Sequence, residues 1–278
     1  MQPRVTFFGG KAAPGYDMAK RIIKLIHSVS FKVNNDPEVS KYFKVVFLPN
    51  YNVSLAEVIV PAADISQHIS TAGMEASGTS NMKFAMNGSL ILGTMDGANI
   101  EIASEIDSDN MFIFGAEAHE VPELRHALRF KQCKDSGPCP EFERVVQSIK
   151  ESNYGTYEEN KPILDSVRWE NDYYLLRHDF KDYIEANKKV DECYKDQKKW
   201  TRKTILSAAG MGKFSTDRTI REYAKDIWGL EQCRRPEPTE SVEGLGGRVR
   251  SFPQFDPNAG GTQPVGHTQE SSSIPSLH

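Results

Sequence analysis

The residues best equipped for chemistry lie between Ser70 and Gly88, in STAGMEASGTSNMKFAMNG. The stretch is polar and rich in Gly, Ser, Thr and Asn, and it carries a single lysine, Lys83. Gly78, Thr79, Ser80 and Asn81 form a run of backbone donors that the spacing predicts will open a short helix. A helix start presents free N–H groups and the positive end of the helix dipole to an anion. A lysine just inside that helix can pair with the anion or condense with the carbonyl of a cofactor. The residues by themselves therefore define a phosphate-type anion site. Its bland counterpart is a long polar loop serving only turn geometry, but loops of that length within a compact domain usually carry function.

Other candidate groups are weaker. Gly9-Gly10-Lys11 follows an apolar run but lacks the trailing G-K-[ST] of a nucleotide loop, and GxGxxG is absent, so it reads as a tight turn. Glu57, Asp64, Glu75 and Glu101 show no spacing that pairs them as a glycosidase would require. The histidines form no HExxH or i, i+4 pair, so no metal site is expected, and His68 alone lies near the loop. The four cysteines, Cys133, Cys139, Cys193 and Cys233, are scattered without a CxxC, which argues against a disulfide framework and for a reducing compartment.

The elements that must position the loop follow from periodicity. VTFFGG at the start reads as a core strand, and KVVFL (Lys44–Leu48), Ser89–Thr94 and MFIF (Met111–Phe114) read as further short buried strands. Helices are expected over Asp17–Val33, over Ser54–Val60 with Pro61 as its stop, and over Ala98–Glu105. Strands alternating with helices imply an α/β fold with a mainly parallel sheet covered on both faces, and ligands at the carboxyl ends of its strands. From about Ala116 the strand signal ends. Helices are expected over Val121–Phe130, Pro140–Glu151, Asp179–Tyr194 and Lys198–Ala209, with a last one capped by Ser215 or Thr216. Tyr183, Tyr194 and Trp200 read as core. Residues 1–115 thus read as the sheet-bearing part and 116–234 as a helical region. Residues 235–278, rich in Pro, Gly, Ser and Thr, read as a disordered tail.

The 278 residues can bury a sizeable core, and 38% hydrophobic with 26% charged residues is a soluble, globular balance. A net charge of −4 gives no basic excess for nucleic acid, and no apolar run approaches the ~18 residues of a membrane span. The abrupt first strand suggests the back part of something longer.

EASGTSNMKFAMNG resembles the pyridoxal-phosphate lysine motif of the α-glucan phosphorylases, the glycogen, starch and maltodextrin phosphorylases. GGKAAPGY (9–16), NYNVSLAE (50–57), PAADISQHISTAG (61–73), GTMDGANIEI (93–102) and KFSTDRTIREYAKDIW (213–228) resemble the same family in the same order, and the wording is closest to its plant-like branch. The likeness runs from about Val5 to Leu230 and stops in the tail.

The resemblance implies one Rossmann-like domain of a two-domain glycosyltransferase fold of the GT-B type. It implies a reaction that moves a terminal glucosyl unit from an α-1,4-glucan to inorganic phosphate, giving glucose 1-phosphate. By position, Lys83 would tether pyridoxal 5'-phosphate, whose phosphate group acts in acid–base catalysis. Gly78, Thr79 and Ser80 would hold that phosphate, with Tyr51 packed nearby. Glu75, Ala76, Ser77 and Gly78 would hold the glucosyl hydroxyls. Asn52 stands where animal members carry arginine, and Ser80 where many carry glycine. The family's basic phosphate cluster and sugar-contacting histidine would precede Met1, so the chain alone is expected to bind the cofactor weakly and to lack measurable phosphorolysis. A homodimer is implied for the full-length form, and a cytoplasmic location, with the plastid left open. Two alternatives stand beside this reading: a truncated, non-catalytic interaction module, and a nucleotide-sugar glycosyltransferase, against which Lys83 argues.

Overall fold

A computed structural model describes residues 2–130 and 139–231, and those up to Leu230 belong to one unit. The first half alternates strand and helix: β1 (Arg4–Gly9), α1 (Asp17–Asn35), β2 (Phe43–Leu48), α2 (Val53–Ala62), β3 (Ile65–His68), α3 (Ser80–Met86), β4 (Leu90–Gly93), α4 (Ala98–Ile106) and β5 (Phe112–Ile113). Among the described residues, only helices follow: α5 (Val121–Arg129), α6 (Pro140–Lys150), α7 (Tyr157–Ser166), α8 (Leu176–Lys195), α9 (Gln197–Gly210) and α10 (Thr216–Glu222). Every strand pairing is parallel, as the α/β pattern predicts. The strands form two sheets rather than the one expected. β1 pairs with β2, Gly9 opposite Leu48, and β3, β4 and β5 form the second sheet, His68 opposite Gly93.

The three-stranded sheet is covered on both faces because β4 alternates. Leu90 and Leu92 point to one side, where they meet Phe112 of β5, Phe114 just after it, Ala186, Val190 and Cys193 of α8, and Trp200 of α9. Tyr183 and Tyr194 pack onto this cluster, so the aromatics of α8 are core, as expected. Ile91 points to the other side, into Ala85 of α3, Ile102 and Ile106 of α4, and Met211. Burying such side chains contributes roughly 1.5–3 kcal/mol each.

The two-stranded sheet is different. Val5, Phe7 and Phe8 of β1 are exposed, Phe7 by 55%, so the first strand is not the core strand that its apolar run predicts. Apolar composition gives a strand something to bury, but a two-stranded sheet with α1 on β2 leaves much of it uncovered. The outer edge of β2 is closed by Asn34, whose carboxamide accepts from the Val45 N–H at 3.0 Å and donates to the Val45 carbonyl at 2.7 Å.

Two elements escape the sequence reading. β3 is the polar four-residue ISQH, too short for a visible alternation, and α7 carries an internal Pro162 with a capping box from Thr156 and Glu159. Pro61 lies inside α2, one residue before its end, rather than stopping it. The expected tail, along with Cys133 and Cys233, lies outside the described residues.

Candidate functional site

The loop between β3 and α3 and the turn between β4 and α4 meet at the carboxyl ends of their strands, where parallel sheets bind ligands. Asp96 organises the meeting. Its side chain is buried, and its carboxylate accepts from Ser70 Oγ at 2.6 Å and from the backbone N–H groups of Gly73 (2.8 Å), Glu75 (2.9 Å) and Gly97 (3.0 Å). Burial raises the Asp96 carboxyl pKa, but the hydrogen bonds from Ser70, Glu75, Gly73 and Gly97 outweigh it and hold it below the ordinary value. The Ser70–Glu75 half of the loop is thereby wrapped around one carboxylate.

The Ser77 half is held by α4. The Ala98 N–H donates to the Ser77 carbonyl at 2.7 Å, and Asn81 Nδ2 reaches the same oxygen at 3.4 Å. Asn81 also donates to Asn99 Oδ1 at 3.0 Å, and Asn99 donates to the Thr94 carbonyl at 3.0 Å. This buried amide chain ties the start of α3 to the end of β4. Gly97 allows the approach: it has φ 51°, and a Cβ there would stand 2.6 Å from the Ser77 carbonyl oxygen.

With its backbone fixed, the loop leaves its chemistry outward. Glu75, Ala76, Ser77, Thr79, Ser80 and Lys83 are exposed and Gly78 is half-buried. Gly78 adopts φ 78° immediately before α3, turning the chain so that Thr79 becomes the N-cap. Among the described residues, the N–H groups of Gly78, Thr79, Ser80 and Asn81 have no hydrogen-bond partner, and Lys83 Nζ has no ion pair. Lys83 therefore sits just inside α3, two residues after a row of free donors, the helix start that the spacing predicts.

Tyr51 arrives from another element. It follows Asn50, which has φ 49°, and its ring lies on Gly9, where a Cβ would stand 2.8 Å from Tyr51 Cδ2. The helix that follows it, α2, packs against α3. Asn52 has a structural explanation of its own: it caps α2 by accepting from the Leu55 N–H at 3.0 Å. Glu57, Asp64 and Glu101 are exposed and outside the loop, and no group of three or more His, Cys, Asp or Glu among the described residues is placed to hold a metal ion. Asp96 and Asn99 are the residues that sequence reasoning missed; the Asp-Gly pair directly after a strand was the available signal.

His68 ends β3 beneath the loop. Burial pushes its imidazole pKa down to about 4, its Nε2 shares a 3.2 Å hydrogen bond with Ser66 Oγ, and its ring meets Phe84 edge-on. The unfolded chain protonates such a histidine near pH 6.5 and the folded one near 4, so in that window acid favours unfolding. The contribution is complete above pH 6.5 and is lost as the pH falls through 4, about 3 kcal/mol in all. Urea unfolding of His68→Gln should show a flatter stability profile from pH 6.5 to 4 than the native chain.

A sequence model described as "Carbohydrate phosphorylase" matches residues 1–230. The chain is 54% identical over 239 residues to the α-glucan phosphorylase H isozyme of Solanum tuberosum, covering 84% of this chain and 28% of that protein. Glycogen phosphorylase 2 of Dictyostelium discoideum is 54% identical over 236 residues, covering 85% of this chain and 24% of the relative. The cytosolic α-glucan phosphorylase 2 of Arabidopsis thaliana is 53% identical over 241 residues, covering 84% and 28%. An α/β chain with donor-rich chemistry on such a loop belongs to a broad class, and the matches narrow it: this chain belongs to the carbohydrate phosphorylase family. It spans about a quarter of the length of these relatives.

Proposed function

We infer that the chain is the cofactor-bearing, C-terminal part of an α-1,4-glucan phosphorylase with a two-domain glycosyltransferase fold. Lys83 tethers pyridoxal 5'-phosphate covalently, and the free N–H groups of Gly78, Thr79 and Ser80 with the two hydroxyls bind its phosphate. Tyr51 packs beside the cofactor. Glu75 accepts hydrogen bonds from the glucosyl hydroxyls, and the backbone from Ala76 to Gly78 fixes their orientation. The chemistry such a cofactor supplies is a phosphate that exchanges a proton with the substrate phosphate. The reaction is transfer of a terminal glucosyl unit from glycogen, starch or maltodextrin to inorganic phosphate, releasing glucose 1-phosphate. A homodimeric full-length form and a cytosolic location go with this reading; the latter is supported by the cytosolic isozyme among the relatives, although chloroplastic forms stand there too.

One observation carries the proposal. An exposed lysine free of ion pairs stands in the first turns of α3, two residues after four unpartnered backbone donors, on a loop whose backbone is held elsewhere by Asp96 and Ala98. A lysine meant only for solubility needs no such setting. Titration of the chain with pyridoxal phosphate, followed by cofactor absorbance, should saturate at one equivalent and weaken at least about tenfold in Lys83→Ala, a loss of about 1.4 kcal/mol. Equal binding by the native and Lys83→Ala chains would refute the assignment.

A further inference from the structure

A second surface adjoins the loop. Tyr173 and Tyr174, in the turn that enters α8, are 53% and 52% exposed, and their rings stand edge-to-face at 5.3 Å and 89°. Exposed aromatics are often incidental, but this pair is held rigidly. Thr71 Oγ1, on the site loop, donates to the Tyr174 carbonyl at 2.9 Å. Arg125 Nε donates to the Tyr173 carbonyl at 2.8 Å, while its guanidinium lies over the Tyr173 ring, 3.8 Å from the centroid. The next residue, Leu175, is fully buried at φ 57°, a left-handed conformation that is strained for a leucine. Asp172 then anchors the turn by accepting from the N–H groups of Leu176 (3.0 Å) and Arg177 (2.7 Å).

The strain and the four anchors present two phenol rings outward, which hydrophobic burial alone would turn inward. The ledge is continuous with the loop: Arg125 Nη2 reaches Met74 Sδ at 3.2 Å, and Met74 directly precedes Glu75. Arg125 backs the Tyr173 ring, and the exposed remainder of the pair offers flat apolar surface and phenolic hydroxyls. A ligand matched to that surface is neutral, with apolar C–H faces and hydroxyl edges, and long enough to reach past Glu75.

We propose that Tyr173 and Tyr174 form a glucan-holding ledge beside the site, on which sugar units of the α-1,4-glucan beyond the reacting one stack. The proposal rests on the phosphorylase reading and adds a binding surface to it. Tyrosine suits the task because it gives large, rigid contact area at low entropic cost.

The test is electrophoresis of the full 278-residue chain through gels with and without soluble starch. Native chain should be retarded by starch, and the double variant Tyr173→Leu/Tyr174→Leu should bind at least fivefold more weakly, with Tyr173→Phe close to native. Leucine keeps bulk, and both positions are exposed; a matching melting temperature verifies that the variant is folded. Starch retardation unaffected by the double change, or no retardation of the native chain, overturns the ledge. Pyridoxal phosphate labelling of Lys83 on the same samples keeps the two readings apart: labelled Lys83 without starch binding by the tyrosines refutes only the ledge, and unlabelled Lys83 refutes the parent reading.

Discussion

Asp96→Ala is expected to lower the unfolding free energy by about 2–4 kcal/mol and to unfasten the loop from Ser70 to Glu75. The carboxylate gathers Ser70 Oγ and the N–H groups of Gly73, Glu75 and Gly97, and no other group among the described residues replaces it. Each buried donor left unpaired costs about 1–3 kcal/mol. Gly73 and Glu75 lie near the surface and water will serve them in part, which keeps the total below the sum of four. Asp96→Asn should cost less, since its carbonyl oxygen still accepts, but its amide must face donors. Urea midpoints measure the loss, and amide exchange at Gly73 and Glu75 locates it. The carboxyl's lowered pKa sets the sign of the pH effect. The stability that Asp96 supplies is present above its unfolded value of 3.8 and disappears as the pH falls through its lower folded value, in the same acid direction as His68.

Gly97→Ala is expected to be of similar size and to act directly on the site. The new methyl would meet the Ser77 carbonyl oxygen at 2.6 Å and Glu75 Cγ at 3.1 Å, at φ 51° where an L side chain is already strained. One of two contacts must yield: the Ala98 N–H bond to Ser77, or the backbone at Gly97 itself. Either moves the Glu75–Gly78 segment. A loss of about 2–4 kcal/mol in unfolding free energy, with cofactor binding weakened at least tenfold, is the expected outcome. Gly88→Ala serves as the control. It has φ 84° but open space around it, so it should cost only the conformational term of about 1–2 kcal/mol and leave binding intact. Equal effects of the two substitutions would show that strain, and not the closure of the loop onto α4, accounts for Gly97.

The part of the candidate site legible in the sequence was its outer layer. Gly78, the hydroxyls of Thr79 and Ser80, and Lys83 announce themselves because donor-rich residues before a short helix have a local meaning. The inner layer was silent. Asp96 reads as an ordinary acidic turn residue, Asn81 as one more donor at a helix start and Asn99 as a residue of the helix over Ala98–Glu105, because their roles depend on partners up to 26 residues away. The parallel strands were visible wherever apolar residues ran together, as in LILG, and invisible in ISQH, whose place in the sheet is secured by its neighbour β4. β1 erred in the other direction: VTFF has the composition of a core strand, and only the packing around it reveals that Phe7 and Phe8 are exposed. Composition reports what a segment could bury, and tertiary context decides whether it does.

The central claim is that the Ser70–Gly88 segment binds pyridoxal phosphate through Lys83. Borohydride reduction of the chain incubated with pyridoxal phosphate, followed by proteolysis and mass mapping, tests it most directly. The account predicts one dominant reduced pyridoxyl group, on the peptide containing Lys83, and its disappearance from that peptide in Lys83→Ala. Label distributed among other surface lysines, such as Lys188 and Lys195 of α8, with Lys83 no more modified than they are, would contradict it.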